Sequence, residues 1–512
     1  MIHLHSLRLS GDGYKLLRDG AGLRIEEWER PITVLIGENG SGKSTMLECL
    51  TWIFRALHER YVMGRTHARP PFEFELTYFI QKETSNGGSA FFDVMQGGPT
   101  AETSFTTIEV RVSGRDTGKK YELLMENIIG KQQKNGEWKM SYQKTTATDY
   151  PTLAPNLVVY YSGLSESIEG IYTAFEREYR NGLQRDARTS QDAYARLRVF
   201  PLYYLERGHF ELLLAALYSY EDYEDVDFFF RERLEVAKSS TRCIRIDIRQ
   251  KSYGNSKDPA EFWGAKGEMG IFLGRIRACA TEEIANSDQS LTFWFDLENW
   301  YSLRATYVEE RLLFTLLLLL HSEELLARLE VFYDLPGEAH VSHLHMSEGQ
   351  QQLITLRALN ELMVDENTLF LLDEPDTYLH PKWQAEFMQE IAPFTERATF
   401  LITTHSPLLL ANFKGGNLFI LKAGQARLVA GQYYGRTYGD SIRDVMNAGT
   451  RPEEVKPLFL KLFDLLDRSQ WDAADEQLVE LREMVGPDDA ELVDAETMLG
   501  FMRPHETSET AE

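Results

Sequence analysis

The chain has 512 residues, of which 43% are hydrophobic and 26% are charged, and its formal net charge at pH 7 is −25. This length predicts a large core and two or three structural units, and the composition is that of an ordinary soluble globular protein. The acidic balance argues against a broad nucleic-acid-binding surface, although it leaves room for a local basic groove. The longest apolar run, 312–320, is far shorter than the roughly 20 residues of a membrane span, so a buried helix is expected there.

Cysteine usage and the first residues of the chain bear on its compartment. The three cysteines, Cys49, Cys243 and Cys279, lie far apart and form no C-x-x-C pair. This spacing excludes a zinc ribbon or hook and is typical of a protein in a reducing cytosol. Residues 1–5 run directly into a strand-like pattern, so no signal segment is expected and the predicted location is cytoplasmic.

The first functional pattern lies between a predicted strand and a predicted helix. Residues 2–9 and 23–36 are predicted to be paired strands, the second ending in the apolar run Ile32–Ile36. Gly37–Thr45 follows and matches G-x-x-x-x-G-K-[ST], before an apolar helix that extends to about residue 60. Strand, glycine-rich turn and helix are the setting in which this pattern is a phosphate loop rather than a chance turn.

The phosphate loop predicts a polyphosphate and Mg²⁺ as ligands. Its backbone N–H groups and the N-terminus of the following helix attract phosphate oxygens. Lys43, in a loop that we expect to be exposed, should reach the β- and γ-phosphates, and Ser44 should give its hydroxyl to Mg²⁺. The predicted nucleotide-binding residues of this loop are Asn39, Gly40, Ser41, Gly42, Lys43, Ser44 and Thr45.

The middle of the chain carries weaker signals. Strand patterns that indicate an antiparallel sheet occur at 72–81, 106–112 and 121–125. Residues 156–161 are predicted to be a buried strand. From about 165 to 335 the pattern is mostly helical, with one strand candidate at Cys243–Ile248, and it contains neither an internal repeat nor heptads sustained enough for a long coiled coil.

Two further strands end in residues suited to phosphate chemistry. Residues 368–372 form an apolar run that ends in Asp373-Glu374, and 398–404 form another that ends in His405. In an open α/β sheet, ligands bind at the carboxyl ends of such strands. Asp373 is expected to hold Mg²⁺ through water, Glu374 to orient or deprotonate the attacking water, and His405 to sense the γ-phosphate. The alternative is a solvated acidic turn beside an ordinary histidine.

These motifs give the chain a family resemblance. Gly37–Thr45, Ser347–Gln350, Leu371–Pro375 and Thr404–His405, in that order, resemble the motifs of the ATP-binding-cassette ATPases, in the SMC-like branch that includes DNA-repair and anti-phage ATPases. The resemblance implies ATP as the nucleotide, Mg²⁺ as its metal, and a dimer in which two chains sandwich two ATPs. The residues of the signature motif that it implies for ATP contact are Ser347, Gly349 and Gln350, of which the first two would cap the γ-phosphate held by the opposite subunit.

The sequence departs from the family pattern at three places. Glu348 stands where the signature motif usually has glycine, and His380 stands where an aspartate is common in the D-loop, Thr377–His380. Both look like the versions found in SMC-like anti-phage ATPases. The family's Q-loop glutamine should follow Tyr161, where this chain has Ser162-Gly163, and Gln81 is a distant candidate.

The resemblance implies an α/β fold with an ABC-type phosphate-loop nucleotide-binding domain, an antiparallel β-subdomain, an inserted helical arm and a C-terminal helical extension. Residues 1–165 would form the N-terminal part of the ATPase domain, 166–338 the mostly helical arm, and 339–425 the C-terminal part of the ATPase domain. A helical region would follow at 426–504, and 505–512 would be a disordered tail.

A compact arm, the Tyr-Tyr-Ser-Gly sequence at 160–163 and an acidic helical end look like the ATPase subunits of Septu and retron-associated defence systems. Those subunits work with a separate nuclease, and related defence ATPases such as those of PARIS are an alternative. Residues 425–512 contain no D-x-D pair at a strand end, so no Toprim nuclease is expected on this chain. The resemblance therefore implies a self-associating ATPase that controls a separate effector.

Other functions stay open on the sequence alone. A DNA-repair or recombination ATPase would act directly on DNA, and a scaffold would use ATP only for assembly. Basic side chains that could contact nucleic acid occur at Arg177, Arg180, Arg185, Arg188, Arg196 and Arg198, interleaved with Tyr179 and Tyr194, and at Lys119, Lys120, Lys131, Lys134, Lys139 and Lys144. The alternative for the arginine run is a solvated helix that pairs with neighbouring acids.

Overall fold

A computed structural model describes residues 1–27, 30–65, 69–84, 104–118, 120–132, 138–163, 168–173, 175–177, 202–220, 224–234, 241–250, 258–307, 310–335, 338–365, 367–422, 424–429, 434–435 and 451–503. The strands are β1 (Ile2–Ser10), β2 (Gly22–Arg24), β3 (Ile32–Ile36), β4 (Glu73–Thr84), β5 (Ser104–Asp116), β6 (Tyr121–Gln132), β7 (Trp138–Lys144), β8 (Asn156–Tyr161), β9 (Leu202–Glu206), β10 (Thr241–Ile248), β11 (Glu282–Ala285), β12 (Leu291–Phe295), β13 (Leu326–Leu335), β14 (Glu338–Ser342), β15 (Thr368–Asp373), β16 (Ala398–Thr403), β17 (Asn417–Lys422) and β18 (Gln425–Leu428). The α-helices are α1 (Lys43–Tyr61), α2 (Tyr150–Leu153), α3 (Phe210–Leu217), α4 (Glu224–Leu234), α5 (Gly267–Cys279), α6 (Leu297–Ala305), α7 (Glu310–Ser322), α8 (Glu348–Met363), α9 (Pro381–Ile391), α10 (Pro407–Ala411), α11 (Lys456–Asp467), α12 (Trp471–Val485) and α13 (Ala490–Met502).

Within the described residues, thirteen strands form one mixed sheet in the order β7-β6-β5-β4-β1-β2-β18-β17-β3-β16-β15-β8-β9. The strands from β17 to β9 run parallel. The three central strands β3, β16 and β15 are buried along their whole length, which explains their continuous apolar sequences. Thr403 pairs with both Leu35 and Asp373, so the loops that follow these strands leave the sheet at the same edge.

The antiparallel strands predicted between 72 and 145 continue this sheet on its other side. β4 to β7 pair in sequence, and β1 joins them to β2 and β18. Alternating side chains of β4, namely Phe74, Leu76, Tyr78 and Ile80, are buried, which is the period-2 pattern of a sheet with one covered face. The predicted α/β fold with an antiparallel subdomain is therefore present.

The inserted region 166–338 contains helices, as predicted, and more strands than the one candidate at Cys243–Ile248. That candidate is β10, and a five-stranded antiparallel sheet in the order β11-β12-β10-β13-β14 surrounds it, the last of these reaching Ser342. Ile244, Ile246 and Ile248 are buried, whereas β11 is exposed along its length. The short and polar β11 gives little hydrophobic periodicity, and sheet pairing with β12 rather than local sequence fixes its conformation.

The apolar run 312–320 lies in α7 and is buried, as expected. Among the described residues, no helix combines the length and the apolar character that a membrane crossing requires.

The chain divides into two compact units, Met1–Gly435 and Arg436–Glu512. The described part of the second unit consists of α11, α12 and α13, whose core includes Phe459, Leu462, Leu481 and Leu492. The predicted helical region begins at 426, but β18 pairs with β17 and keeps the chain in the first unit as far as Gly435. The tail predicted to be disordered, 505–512, lies outside the described residues.

Candidate nucleotide site

The phosphate loop connects β3 to α1 at the carboxyl edge of the parallel strands. Gly42 is the N-cap of α1 with a φ of 101°, and no described side chain caps this helix. A Cβ on Gly42 would also lie 2.7 Å from Leu17 Cδ2, so both its conformation and its packing require glycine. The first N–H groups of α1 are therefore left for an anion, together with the positive end of the helix dipole.

Residues 38–40 of this loop are exposed, as expected, but Lys43 itself is only 5% exposed. Its Nζ donates to the carbonyl oxygens of Gly37, at 3.0 Å, and Glu38, at 3.3 Å, and lies 2.7 Å from His405 Nε2. The loop carbonyls turn the ammonium inward. Burial lowers the pKa of Lys43, and the nearby carboxylates of Glu374 and Asp373 oppose that shift.

Ser44 and Asp373, the two predicted metal ligands, are in direct contact. Ser44 Oγ donates to Asp373 Oδ1 at 3.1 Å, and Thr403 Oγ1 donates to the same oxygen at 2.5 Å. Burial raises the pKa of Asp373, while the two hydroxyl donors act in the opposite direction. A hydroxyl and a carboxylate side by side supply the oxygen ligands that Mg²⁺ prefers, with phosphate and water completing the shell.

Glu374 follows β15 in a left-handed backbone conformation, with a φ of 48°. This strain is of the kind that clusters at functional sites. Its N–H lies 3.1 Å from the carbonyl oxygen and from Oγ1 of Thr403, which fixes the turn. Its Oε1 lies 3.1 Å from His405 Nε2, and the hydrogen bond from His405 lowers the pKa of Glu374. The half-exposed carboxylate is thus ionised near neutral pH and can accept a proton.

A buried network that the sequence analysis missed supports the histidine. Thr404 Oγ1 donates to Asp376 Oδ2 at 2.9 Å and accepts from the backbone N–H of Ser406, also at 2.9 Å. Ser406 Oγ in turn donates to Gln384 Oε1 at 2.9 Å. Burial raises the pKa of Asp376 to about 6. The threonine and serine on either side of His405 were the available sequence signal, since such hydroxyls pin a strand end.

The signature motif begins a helix elsewhere on the chain. Ser347 is the N-cap of α8: its Oγ accepts from the N–H of Gln350 at 3.3 Å, and Gln350 Oε1 accepts from the N–H of Ser347 at 2.9 Å. This capping box explains Gln350 within a single chain. None of the described contacts joins Ser347 or Gly349 to Lys43.

Two of the departures from the family pattern, Glu348 and His380, have local explanations. Glu348 forms an ion pair with Arg207 at 3.2 Å. His380 is the N-cap of α9, and its Nδ1 accepts from the N–H of Lys382 at 3.3 Å. Both side chains therefore have structural partners in the monomer.

Gln352 ties the signature helix α8 to the turn that follows β15, but it is neither of the two Q-loop candidates. Gln352 of α8 accepts from the Tyr160 hydroxyl at 2.5 Å and donates to the carbonyl oxygen of Pro375 at 2.7 Å. Ser162, at the expected Q-loop position, donates to the carbonyl oxygen of Asp373 at 3.0 Å. Gln81 instead contacts His3 at 3.2 Å in the antiparallel part of the sheet.

Most of the basic candidates for nucleic-acid contact lie outside the described residues. The arginines at 180, 185, 188, 196 and 198 and the tyrosines at 179 and 194 are among them, as are Lys119, Lys134 and the side chains of Lys131 and Lys139. Of those described, Lys120 pairs with Glu122 at 3.0 Å. Nucleic-acid binding therefore stays a prediction.

Two protein families match this chain. Residues 13–181 match a family described as an AAA domain. Residues 221–411 match one described as "AAA domain, putative AbiEii toxin, Type IV TA system". The first match contains the phosphate loop, and the second contains the signature motif, Asp373, Glu374 and His405.

Similar proteins include two named as probable retron ATPases and one named as a Septu protein. Retron Ec83 probable ATPase of Escherichia coli is 27% identical over 169 residues, which are 30% of this chain and 31% of that protein. Retron Vc95 probable ATPase of Vibrio cholerae serotype O1 biovar El Tor is 21% identical over 463 residues, 88% of this chain and 82% of that protein. Septu protein PtuA of Bacillus mycoides (strain KBAB4) is 31% identical over 90 residues, 16% of this chain and 13% of that protein. The matched region is thus less than a third of the Ec83 protein and of the Bacillus mycoides Septu protein.

Among solved structures, the SMC head domain from Thermotoga maritima is similar to 83% of this chain and 98% of its own, with 12% identity and a TM-score of 0.29. At that TM-score nothing further about this chain follows from the likeness.

Proposed function

We propose that this chain, an SMC-like ATP-binding-cassette ATPase similar to those of retron and Septu defence systems, binds Mg²⁺–ATP, hydrolyses it, and thereby controls a partner effector in anti-phage defence. The observation that carries the proposal is the position of His405 Nε2, which lies 2.7 Å from Lys43 Nζ and 3.1 Å from Glu374 Oε1, beside the contact of Ser44 with Asp373.

In this proposal each side chain has a task that its surroundings support. Lys43 and the N–H groups at the start of α1 bind the phosphates, and Ser44 and Asp373 would hold Mg²⁺. When bound, Mg²⁺ neutralises phosphate charge and aligns the phosphate oxygens. Glu374, kept ionised by His405, orients the attacking water and accepts its proton. Gln352 keeps the backbone that follows Glu374 in place through Pro375.

Dimerisation around ATP completes the proposed mechanism. Ser347 and Gly349 lie at the N-terminus of α8, where helix geometry favours an anion. Because no described contact brings them to Lys43 of the same chain, a nucleotide held by a second copy is the ligand that we assign to them. Opening of the dimer after hydrolysis would transmit the ATP state to the effector.

The effector in this proposal is a separate nuclease or another toxic protein, and the compartment is the cytoplasm. The names of the retron and Septu relatives support the defence role. Among the described residues, no group of three or more His, Cys, Asp or Glu side chains is placed to hold a metal ion.

A phosphate-release assay on the full chain tests the ATPase. Mg²⁺-dependent release is expected for the parent, and Glu374→Gln should lower it at least a hundredfold because the amide cannot accept a proton. Glu396→Gln, an exposed site in the loop before β16, is the matched control and should match the parent. Equal turnover in Glu374→Gln and the parent would contradict the proposed role of Glu374.

A further inference from the structure

Arg207 links two loops that the proposed dimer uses. Its guanidinium lies 4.1 Å from the centre of the Tyr378 ring, in the D-loop, and 3.2 Å from Glu348 Oε1, in the signature motif. One cation thus contacts an aromatic face and a carboxylate on separate segments. Neither Arg207 nor Tyr378 belongs to the residues that the sequence motifs mark for nucleotide contact.

The backbone of Arg207 is itself fixed, so its side chain can position others. It follows β9, whose last residue, Glu206, pairs with Tyr161 of β8. The Glu206 side chain and His209 form a capping box around the short helical turn that Arg207 begins. Arg207 therefore projects from the edge of the main sheet rather than from a free loop.

The two segments that Arg207 joins also touch each other directly. A Cβ built on Gly349 would lie 3.1 Å from the carbonyl oxygen of Tyr378, so the signature backbone packs against the D-loop. Tyr378 has a φ of 71°, a conformation that costs free energy for a bulky residue and needs support from its surroundings. Tyr378 is 41% exposed, and the Arg207 guanidinium lies over its ring.

We propose that Arg207 is a positioning residue for the ATP-dependent dimer. It holds the signature motif and the D-loop together, so that they form one surface for the second copy. The inference rests on the proposed function, because it assigns this surface to the nucleotide-bound partner. An exposed ion pair alone contributes little to stability. The contacts of Arg207 instead orient Ser347 and Gly349 relative to Tyr378 before the two copies meet. This lowers the entropic cost of ordering the surface during association.

The test measures the dimerisation of full-length Glu374→Gln protein with Mg²⁺–ATP, by sedimentation over a range of protein concentrations. Adding Arg207→Ala should raise the dimer dissociation constant about tenfold, which corresponds to about 1.4 kcal/mol. Binding of a fluorescent ATP analogue to dilute, monomeric protein should change less than twofold, because Lys43 and the phosphate loop are untouched. A variant that had lost its fold would be weakened both in dimerisation and in binding of the ATP analogue.

Two sets of controls separate positioning from general stability. Arg277 has the same pair of contacts in the inserted region, 2.8 Å from Glu283 and 4.0 Å from the Phe262 ring, so Arg277→Ala should leave dimerisation at the parent value. Tyr378→Phe, which keeps the aromatic face, should dimerise like the parent, whereas Tyr378→Ala should resemble Arg207→Ala. The double variant Arg207→Ala/Tyr378→Ala should have the same dimer dissociation constant as either single variant, because both substitutions remove the same link.

The outcomes distinguish this proposal from the function on which it rests. If Arg207→Ala leaves the dimer dissociation constant of Glu374→Gln protein unchanged, only the positioning role of Arg207 is overturned. If Glu374→Gln itself forms no dimer with Mg²⁺–ATP, the proposed dimerisation around ATP fails and this role fails with it, whereas the phosphate-release assay still decides the ATPase. If Arg207→Ala misfolds, the comparison of Tyr378→Phe with Tyr378→Ala decides, and equal dimerisation of those two would overturn the role.

Discussion

His405 Nε2 lies 2.7 Å from Lys43 Nζ and also 3.1 Å from Glu374 Oε1. A single imidazole nitrogen cannot accept a hydrogen bond from the ammonium and donate one to the carboxylate at the same time. The oxygens of a polyphosphate in the loop would accept the hydrogen bond of Lys43 in place of His405. The Nε2–H of His405 is then free to donate to Glu374. The tautomer of His405 is therefore expected to respond to nucleotide.

Lys43→Ala should abolish binding and hydrolysis of ATP without unfolding the protein. The ammonium bonds mainly to carbonyl oxygens of the loop, and apolar residues of β3 and α1, rather than Lys43, form the surrounding core. Binding of a fluorescent ATP analogue and circular dichroism check the two halves of this statement. Turnover at the parent rate would contradict the phosphate-loop assignment.

His405→Ala should move the acid limb of the pH–rate profile to higher pH. The hydrogen bond from His405 lowers the pKa of Glu374, so the carboxylate stays ionised as the pH falls, and activity is lost only when the pH passes that depressed pKa. Without the bond the pKa rises and the loss begins at higher pH. His405→Gln, whose amide N–H can still donate, is the control and should keep the limb closer to the parent position. If the acid limb of His405→Ala lies at the same pH as that of the parent, the pKa of Glu374 does not determine that limb.

Gln352→Leu should reduce turnover while ATP still binds. The substitution leaves the buried Tyr160 hydroxyl and the Pro375 carbonyl without this partner, at a cost of about 1–3 kcal/mol of stability per group. It also frees the backbone beside Glu374. Tyr160→Phe, which removes one bond and keeps the link to Pro375, serves as the control. Thermal unfolding and phosphate release measure the two effects, and a loss of turnover as large in Tyr160→Phe would locate the effect in the core rather than in the link.

The meeting of the main site residues could be predicted from the sequence, because Lys43, Asp373 and His405 each follow an apolar run of the kind that forms parallel strands. The burial of Lys43 could not be predicted from the sequence, because it depends on the orientation of the loop carbonyls that accept hydrogen bonds from its ammonium. Gln352 and Arg207 were also missed. Each makes its contacts with residues far away in the chain, and neither belongs to a motif with a local signature.

The arginine run should contribute to salt-sensitive binding only if nucleic acid is a ligand. In that case replacing Arg180, Arg185 and Arg188 with alanine should flatten the slope of log K against log salt by up to about one unit per lost phosphate contact. Titration of labelled DNA and RNA with the full chain at several salt concentrations measures the slope. If the parent binds neither at low salt, the run is a solvated face.

Glu374→Gln should accumulate a dimer with Mg²⁺–ATP. The amide keeps the size of the side chain but accepts no proton, so ATP binds and the step that opens the dimer is blocked. Ser347→Arg in the same background should reverse the accumulation, because a long side chain at the N-cap of α8 would clash with the phosphate that Ser347 is proposed to cap. Sedimentation with and without Mg²⁺–ATP measures both. A monomeric mass for Glu374→Gln under both conditions would refute capping by a second copy. If the parent is already a larger oligomer without ATP, a cross-link between copies carrying Ser347→Cys and Ser41→Cys replaces sedimentation, and it should form efficiently only when nucleotide is present.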